Sequence, residues 1–388
     1  MLSAHYPTDA TPQRGLWVER MCSAASTEAD VAVLVPTPWI PPIPRFQSLQ
    51  RLRALPALER RGTIEVHYPR VPGWIGYWSH DLDARMGFPP LLRAARRLHE
   101  EKPFDVIHAH FIYPDGVVAS RIGLALGIPV MTSEHAFWQP WLVERRRVGA
   151  QVDAALPGVH LVTAVSNFLR KDVAEYAGDR VATDVLPLAI DDEVFSPAPT
   201  ARDPNELLYV GLLRKVKRVD VLLRAMVEAR RSNPLLHLRI LSASALGVYA
   251  ADRREIHALI ASLGLERAVT FMEGTGPAGV AEAMRRCAFV AVASTRETFC
   301  SVAGESLACG TPLIITRCGG PEEFVSEDDG VMVPPNDVDA FVDGIRTAFL
   351  RRPSFDGPQI SRRLVERYGR AAWCERAMTV YDRVASRS

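Results

Sequence analysis

The strongest constraint on this chain is an alternation that persists along almost its whole length: short apolar, β-branched runs separated by stretches of helical periodicity. In the first half the runs fall at 29–37, 63–71, 105–111, 129–135, 161–166 and 184–190. In the second half they fall at 206–211, 236–243, 268–274, 289–295, 312–320 and 330–335. Helical spacing fills the gaps, for instance at 89–101, 219–231, 251–263, 277–287 and 337–350. A strand that is apolar at nearly every position has both faces buried, and intervening helices supply the cover. The expectation is therefore an α/β chain with parallel sheets. The polar, proline-containing segment 195–206 breaks the alternation and reads as a linker between two βα sandwiches. Domains are expected at 1–197 and 198–370, with 371–388 a C-terminal helix packing back on the first. Two such sandwiches leave a cleft between the carboxyl ends of their strands, where doubly wound sheets bind ligands. The residues at those ends include His108, His110, Glu134, His135, Gly211, Glu297, Glu305, Gly319 and Gly320.

Composition narrows the class further. The length of 388 residues suits two domains. With 48% hydrophobic and 23% charged residues the chain has the make-up of a soluble globular protein, and a net charge of +1 offers no argument for nucleic acid. The six cysteines, at 22, 287, 300, 309, 318 and 374, contain no CxxC pair and read as free thiols in a reducing compartment. The opening residues have neither a basic region nor an apolar core, and no apolar run approaches the ~20 residues of a spanning helix. A cytoplasmic protein is expected.

The segment RETFCSVAGESLACGTP (296–312) sets Glu297 in a strand-to-helix loop and Glu305 on the helix that follows, with Gly310 as its C-cap. Phe299, Cys300 and Ser301 would present amides at that helix N-terminus, a natural anion site, and Glu305 suits a ribose diol. The alternative is a pair of solvated carboxylates. Arg214, Lys215, Lys217 and Arg218 follow a strand directly, which suits a diphosphate or a solvated loop. His108 and His110 share one face of a strand, toward the cleft or the core. Nothing completes a metal set around them. Gly15 opens a helix after a polar loop, either beside a phosphate or as a turn glycine. Of two DxD triplets, 81–83 follows an aromatic loop and 337–339 reads as a helix N-cap, so neither is a metal site. Residues 40–62 carry five arginines, with Phe46, Leu49, Leu52 and Leu55 at helical spacing. Trp39, Trp74, Tyr77 and Trp78 lie nearby, as does the basic run 145–147. That pattern fits an amphipathic helix over a core, or docking on an anionic membrane.

Together these pieces resemble the retaining glycosyltransferases of family four, nucleotide-sugar-dependent enzymes of the GT-B fold. The resemblance is carried by Glu297 and Glu305 in an E-x7-E arrangement and by the following SLACGTPLIITRCGGPEEFV (306–325). DVIHAH (105–110), AVSNFLRKD (164–172) and LPLAIDDEVFSP (186–197) match other segments in the same order. It implies two Rossmann-like domains facing each other across a cleft, the first on the acceptor side and the second binding the nucleotide sugar. It also implies a role for each matching residue. Glu305 would hold the ribose. Glu297, with the amides of Phe299, Cys300 and Ser301, would face the donor sugar. Lys217 would bind phosphate, His110 would lie near the anomeric carbon with His135 a possible neighbour, and Gly15 would lie beside the diphosphate. No cofactor or divalent metal is implied. The partners implied are the donor and a saccharide or lipid-linked acceptor of surface polysaccharide or glycoconjugate synthesis, with any membrane contact through the basic-aromatic surface on the inner face.

Departures from the family pattern are specific. Leu212 stands where an arginine is usual, with Arg214 or Arg218 as substitutes; PLA (187–189) replaces PNG; and Ser242, Ala243 and Ser244 replace a glycine-rich turn. Only residues 1–4 precede His5, which clips the first strand and suggests either a start site placed too late or a sheet lacking most of an edge. Leu212 and the clipped strand keep open a non-catalytic GT-B nucleotide-sugar-binding protein, and the shared two-domain fold keeps open a nucleotide-sugar epimerase.

Overall fold

A computed structural model describes residues 1–39, 50–72, 82–139, 141–242, 250–272 and 275–386. The chain divides into two compact units, Met1–Ala189 with Arg370–Ser388, and Ile190–Gly369. Eleven of the twelve apolar runs contain a strand, and the run 184–190 overlaps the end of Thr183–Val185.

The second unit is built on a six-stranded, wholly parallel sheet. Its spatial order is Val269–Met272, His237–Leu241, Glu206–Val210, Phe289–Val292, Leu313–Thr316, Gly330–Val333. The chain winds outward from Glu206–Val210 in one direction, then returns to that strand's other side and winds the opposite way. The point of reversal lies between Glu206–Val210 and Phe289–Val292. Phe289–Val292 and Leu313–Thr316 are buried at every position, as a strand covered on both faces must be. Helices Val219–Ser232, Pro277–Arg286 and Val338–Arg351 contribute Leu222, Met226, Met284, Phe341 and Ile345 to burial. Each such side chain removed from water stabilises by roughly 1.5–3 kcal/mol. Asp337 starts the last of these helices by accepting from the Ala340 amide at 2.9 Å, the N-cap expected of that DxD triplet. The other triplet includes Asp81, outside the described residues.

The first unit repeats the winding. Its order is Leu58–Arg61, Ile64–His67, Ala32–Leu34, the single residue Leu2, Ile107–His110, Val130–Glu134, Leu161–Ala164, Thr183–Val185. The opening segment fills the middle of this sheet, where the sequence suggested a missing edge. Leu2 pairs in parallel with Leu34 and Ala109. Its amide donates to His108 O at 2.9 Å, and its carbonyl accepts from His110 N at 3.1 Å. The Met1 ammonium donates to Ala32 O at 2.7 Å. Helix Arg370–Ala385 belongs to this unit; Trp373, fully buried, donates to Pro187 O at 2.7 Å.

The amphipathic reading of 40–62 fails over its described part. Only Gln50–Arg53 is helical, and Leu58–Arg61 forms an antiparallel strand with Ile64–His67 across a turn at Gly62, φ 60°. A left-handed turn glycine and cross-strand pairing decide it. Arg61 is held by Glu59 at 2.8 Å and Glu19 at 2.6 Å, and Arg60 by Glu65 at 2.9 Å, so this charged edge strand is internally neutralised. Residues 40–49 and 73–81, with Trp74, Tyr77 and Trp78, lie outside the described residues. The helix expected over 89–101 begins at Asp83 and runs through Pro89 and Pro90, because its first turns bury Ala84 and Gly87.

Candidate functional site

In the second unit the expected residues gather at the carboxyl ends of the two strands that flank the reversal. After Glu206–Val210 the chain makes a short 3-10 turn, Lys215–Lys217, and then enters helix Val219–Ser232. After Phe289–Val292 it loops through Ser294 and Glu297 into helix Ser301–Ala308. Lys217 Nζ lies 2.6 Å from Glu297 Oε1, and Ser294 Oγ donates to the same oxygen at 2.6 Å. Glu297 is only 9% exposed. Burial disfavours the Lys217 ammonium, but the Glu297 carboxylate outweighs it and holds the lysine above its ordinary range.

Backbone contacts fix the Glu297 loop. Its amide donates to Cys318 O at 2.7 Å, and its carbonyl accepts from Gly320 N at 3.0 Å. A Cβ on Gly320 would lie 2.3 Å from Thr298 O, so only glycine lets the two loops approach this closely. Cys300 adopts a left-handed conformation, φ 69°, and starts the helix without a side-chain cap. The Cys300 carbonyl accepts from Ala303 N at 3.0 Å and Gly304 N at 3.4 Å, which leaves the amides of Ser301 and Val302 at the uncapped start, available to an anion. Glu305 is buried in the second turn of the helix. Phe299 offers only its backbone: its ring packs on Phe324 and Tyr368 at 5.1 and 5.7 Å. Burial, reinforced by Glu297, pushes the Cys318 thiol up to about 12 and raises Cys300 well above the ordinary thiol value, so neither is a thiolate.

Of the two arginines offered in place of Leu212, Arg218 is committed elsewhere. Its Nε and Nη2 each donate to Asp220 at 2.9 Å, and Nη1 donates to Asn336. Arg214 is exposed at the start of the 3-10 turn. Ala243 and Ser244 lie outside the described residues.

In the first unit the reversal lies between Leu2 and Ile107–His110, and aromatic and imidazole rings gather beyond it. His110 is fully buried, with Nδ1 3.1 Å from His135 Nε2. His108 and His110 do share a face, their rings 4.5 Å apart. His108 is fixed by Tyr381 Oη at 2.9 Å and Ser133 Oγ at 2.7 Å. Burial pulls His108 and His135 down to about 3 and His5 to about 4, and lowers His110 well below the ordinary value. All four are neutral at physiological pH. Gly15 starts helix Leu16–Ala25 at φ 73°, and a Cβ there would sit 2.2 Å from His5 O. The chain's own backbone thus requires this glycine.

Two participants, Ser294 and Asp115, escaped the sequence reading, and Glu134 was marked there only as a strand-end residue. Ser294 carried no signal beyond its proximity to Glu297. Asp115 accepts from Ala4 N at 2.7 Å, and burial pushes it up to about 7. Glu134 accepts from Ile112 N, and burial pushes it up to about 8. Asp115 lies beyond strand Ile107–His110 and carried no sign of its burial, whereas Glu134 showed as an acid ending a buried strand.

Two doubly wound α/β units, the second with a cation and a carboxylate meeting across its point of reversal, are the architecture of a GT-B glycosyltransferase. The comparisons agree. The family model described as Glycosyl transferases group 1 matches residues 191–367, and that described as Glycosyltransferase Family 4 matches 30–194. A D-inositol 3-phosphate glycosyltransferase of Stackebrandtia nassauensis is 31% identical over 311 residues, 73% of this chain and 69% of the relative. One from Kineococcus radiotolerans is 26% identical over 84% of this chain and 83% of its own. The chain belongs to glycosyltransferase family 4. Among solved structures, sucrose-phosphate synthase from Thermosynechococcus elongatus superposes with a TM-score of 0.77 at 18% identity, covering 96% of this chain and 94% of its own. Anabaena HepE in complex with UDP-glucose gives 0.72 at 18% identity, covering 98% and 99%.

Proposed function

We propose that this glycosyltransferase moves a sugar from a nucleoside diphosphate donor to a hydroxyl of a saccharide or lipid-linked acceptor, with retention at the anomeric carbon and no requirement for a metal. The observation that carries the reading is the Lys217–Glu297 pair across the point of reversal, beside the uncapped amides of Ser301–Ala308. In this reading Lys217 and those amides stabilise the charge that develops on the leaving diphosphate, a role a divalent ion would otherwise fill. Arg214 adds charge at the rim. Glu305 accepts from the ribose diol. Glu297, its Oε1 occupied by Lys217 and Ser294, turns Oε2 toward the donor sugar. His110, kept neutral by burial, serves the reacting sugar as a hydrogen-bonding group and not as a cation. Gly15 keeps the N-terminal loop close to His5, on the diphosphate side.

UDP is the first nucleotide to test, because solved neighbours carry UDP and UDP-glucose. The names of the curated relatives favour a second acceptor class, a phosphorylated cyclitol. Contact with an anionic membrane is supported by exposed Trp141 and Val143 beside the exposed arginines 145–147, one of which, Arg145, lies over the Trp141 ring. The reaction is tested by incubating the chain with UDP-sugars and candidate acceptors, with and without EDTA. NMR of the product should show the donor's anomeric configuration and an unchanged yield in EDTA. Inversion or EDTA-sensitive turnover would contradict the mechanism. An epimerised donor without acceptor would indicate an epimerase, and donor binding without any turnover a binding protein.

A further inference from the structure

A cavity of about 750 Å³ opens in the second unit at the amino ends of its strands, the end opposite Lys217 and Glu297. Pro204, Ala288 and Pro312, which precede three of the strands, line it together with Pro197, Pro199 and Phe355. Two arginines, Arg202 and Arg352, stand on its wall. Arg202 donates through Nη1 to Thr311 Oγ1 at 2.9 Å and Cys287 O at 3.2 Å, and through Nη2 to Gly310 O at 2.9 Å. Arg352 donates through Nη1 to Pro204 O at 2.8 Å. Every one of these acceptors is uncharged, and among the described residues no carboxylate pairs with either guanidinium. Burial lowers Arg202 below the ordinary arginine value.

The Arg202 guanidinium is partly withdrawn from water although the residue keeps an exposed face, and among the described residues only neutral acceptors meet it. Arg352, exposed on the same wall, adds a second positive charge that no carboxylate among the described residues pairs with. The donors are not exhausted: a guanidinium has five N–H groups, and Arg202 spends three of them. A volume of this size suits a small organic ligand. Two unbalanced positive charges with forked donors match a dianionic phosphate better than a single carboxylate.

We propose that this cavity is a second ligand site that takes a small phosphate monoester, its phosphate bridging Arg202 and Arg352 and its organic body against Phe355 and the prolines. The site lies apart from the donor residues, so its occupant is neither donor nor leaving group.

The test is calorimetric titration of the full chain with phenyl phosphate, an apolar ring bearing a dianion. Saturable one-site binding is expected. Arg352→Glu, a change at an exposed side chain, should weaken it at least about tenfold, equivalent to about 1.4 kcal/mol. Arg352→Met should weaken it less, Lys217→Ala should leave it unchanged, and phenol should show no saturable heat. Absence of saturable binding to the unaltered chain overturns the proposal. So does unchanged affinity in both Arg352 variants, or loss of binding in Lys217→Ala, which would place phenyl phosphate at the donor residues.

Discussion

Lys217 Nζ and Glu297 Oε1 meet at 2.6 Å although 80 positions separate them in sequence, because they leave neighbouring parallel strands at the point where the second sheet reverses its winding. The pair has a structural cost that can be separated from its use. Lys217→Met leaves Glu297 nearly buried with Ser294 alone, and should destabilise the second unit by about 1–3 kcal/mol, the usual penalty for an unsatisfied buried group. Adding Glu297→Gln removes the stranded charge and should restore most of that stability without restoring donor affinity. Calorimetric unfolding of the single and double variants checks this; a double variant no more stable than Lys217→Met would contradict the pairing.

Gly15→Ala should destabilise the first unit. Left-handed backbone alone costs about 1–2 kcal/mol for an L-residue, and the contact with His5 O adds to it. All seven tryptophans, at 17, 39, 74, 78, 138, 141 and 373, belong to this unit, so their fluorescence follows its unfolding alone. An unchanged tryptophan-detected midpoint would mean that the close approach of residue 15 to His5 is wrong.

The same fluorescence should show a stability maximum in pH. Asp115 and Glu134, raised to about 7 and about 8, hold protons that the unfolded chain would release. Their contribution is complete below the ordinary carboxylate range and is lost as pH rises through 7 and 8. His5, His108 and His135, lowered to about 4, 3 and 3, refuse protons that the unfolded chain binds. Their contribution is present above about 6.5 and is lost as pH falls toward 3. The opposing slopes place the maximum near about pH 6.5–7. Glu134→Gln should flatten the decline on the alkaline side; an equally steep decline in that variant would remove Glu134 as its source.

The six cysteines are all buried, and burial raises five of them, with Cys22 and Cys309 at about 12. Native protein should react with a thiol reagent only as fast as it unfolds, and one fast-reacting thiol in the native state would refute this.

What the sequence revealed follows from how each feature is encoded. Parallel strands buried on both faces are apolar throughout, so Phe289–Val292 and Leu313–Thr316 stood out, and the two sandwiches with them. Glu297 and Glu305 were legible because charge is rare in such surroundings. Leu58–Arg61 was not, since an edge strand of alternating burial reads as a charged helix until Gly62 turns it. Leu2 contributes one residue of pairing, too short for any period to show. The commitment of Arg218 to Asp220 and Asn336, and the approach of Lys217 to Glu297, are contacts between side chains that spacing along the chain does not encode.

The central claim, that the strand-end residues of the second unit bind a nucleotide sugar, is tested most directly by thermal shift against UDP-, GDP-, TDP- and ADP-sugars, followed by titration of the free nucleotide from the best donor. One nucleotide class should raise the melting temperature by linkage. Glu305→Ala should weaken the free nucleotide at least about tenfold, or about 1.4 kcal/mol, and more than His110→Ala does. A flat response to all four classes, or a nucleotide affinity that survives Glu305→Ala while falling in His110→Ala, would contradict the account.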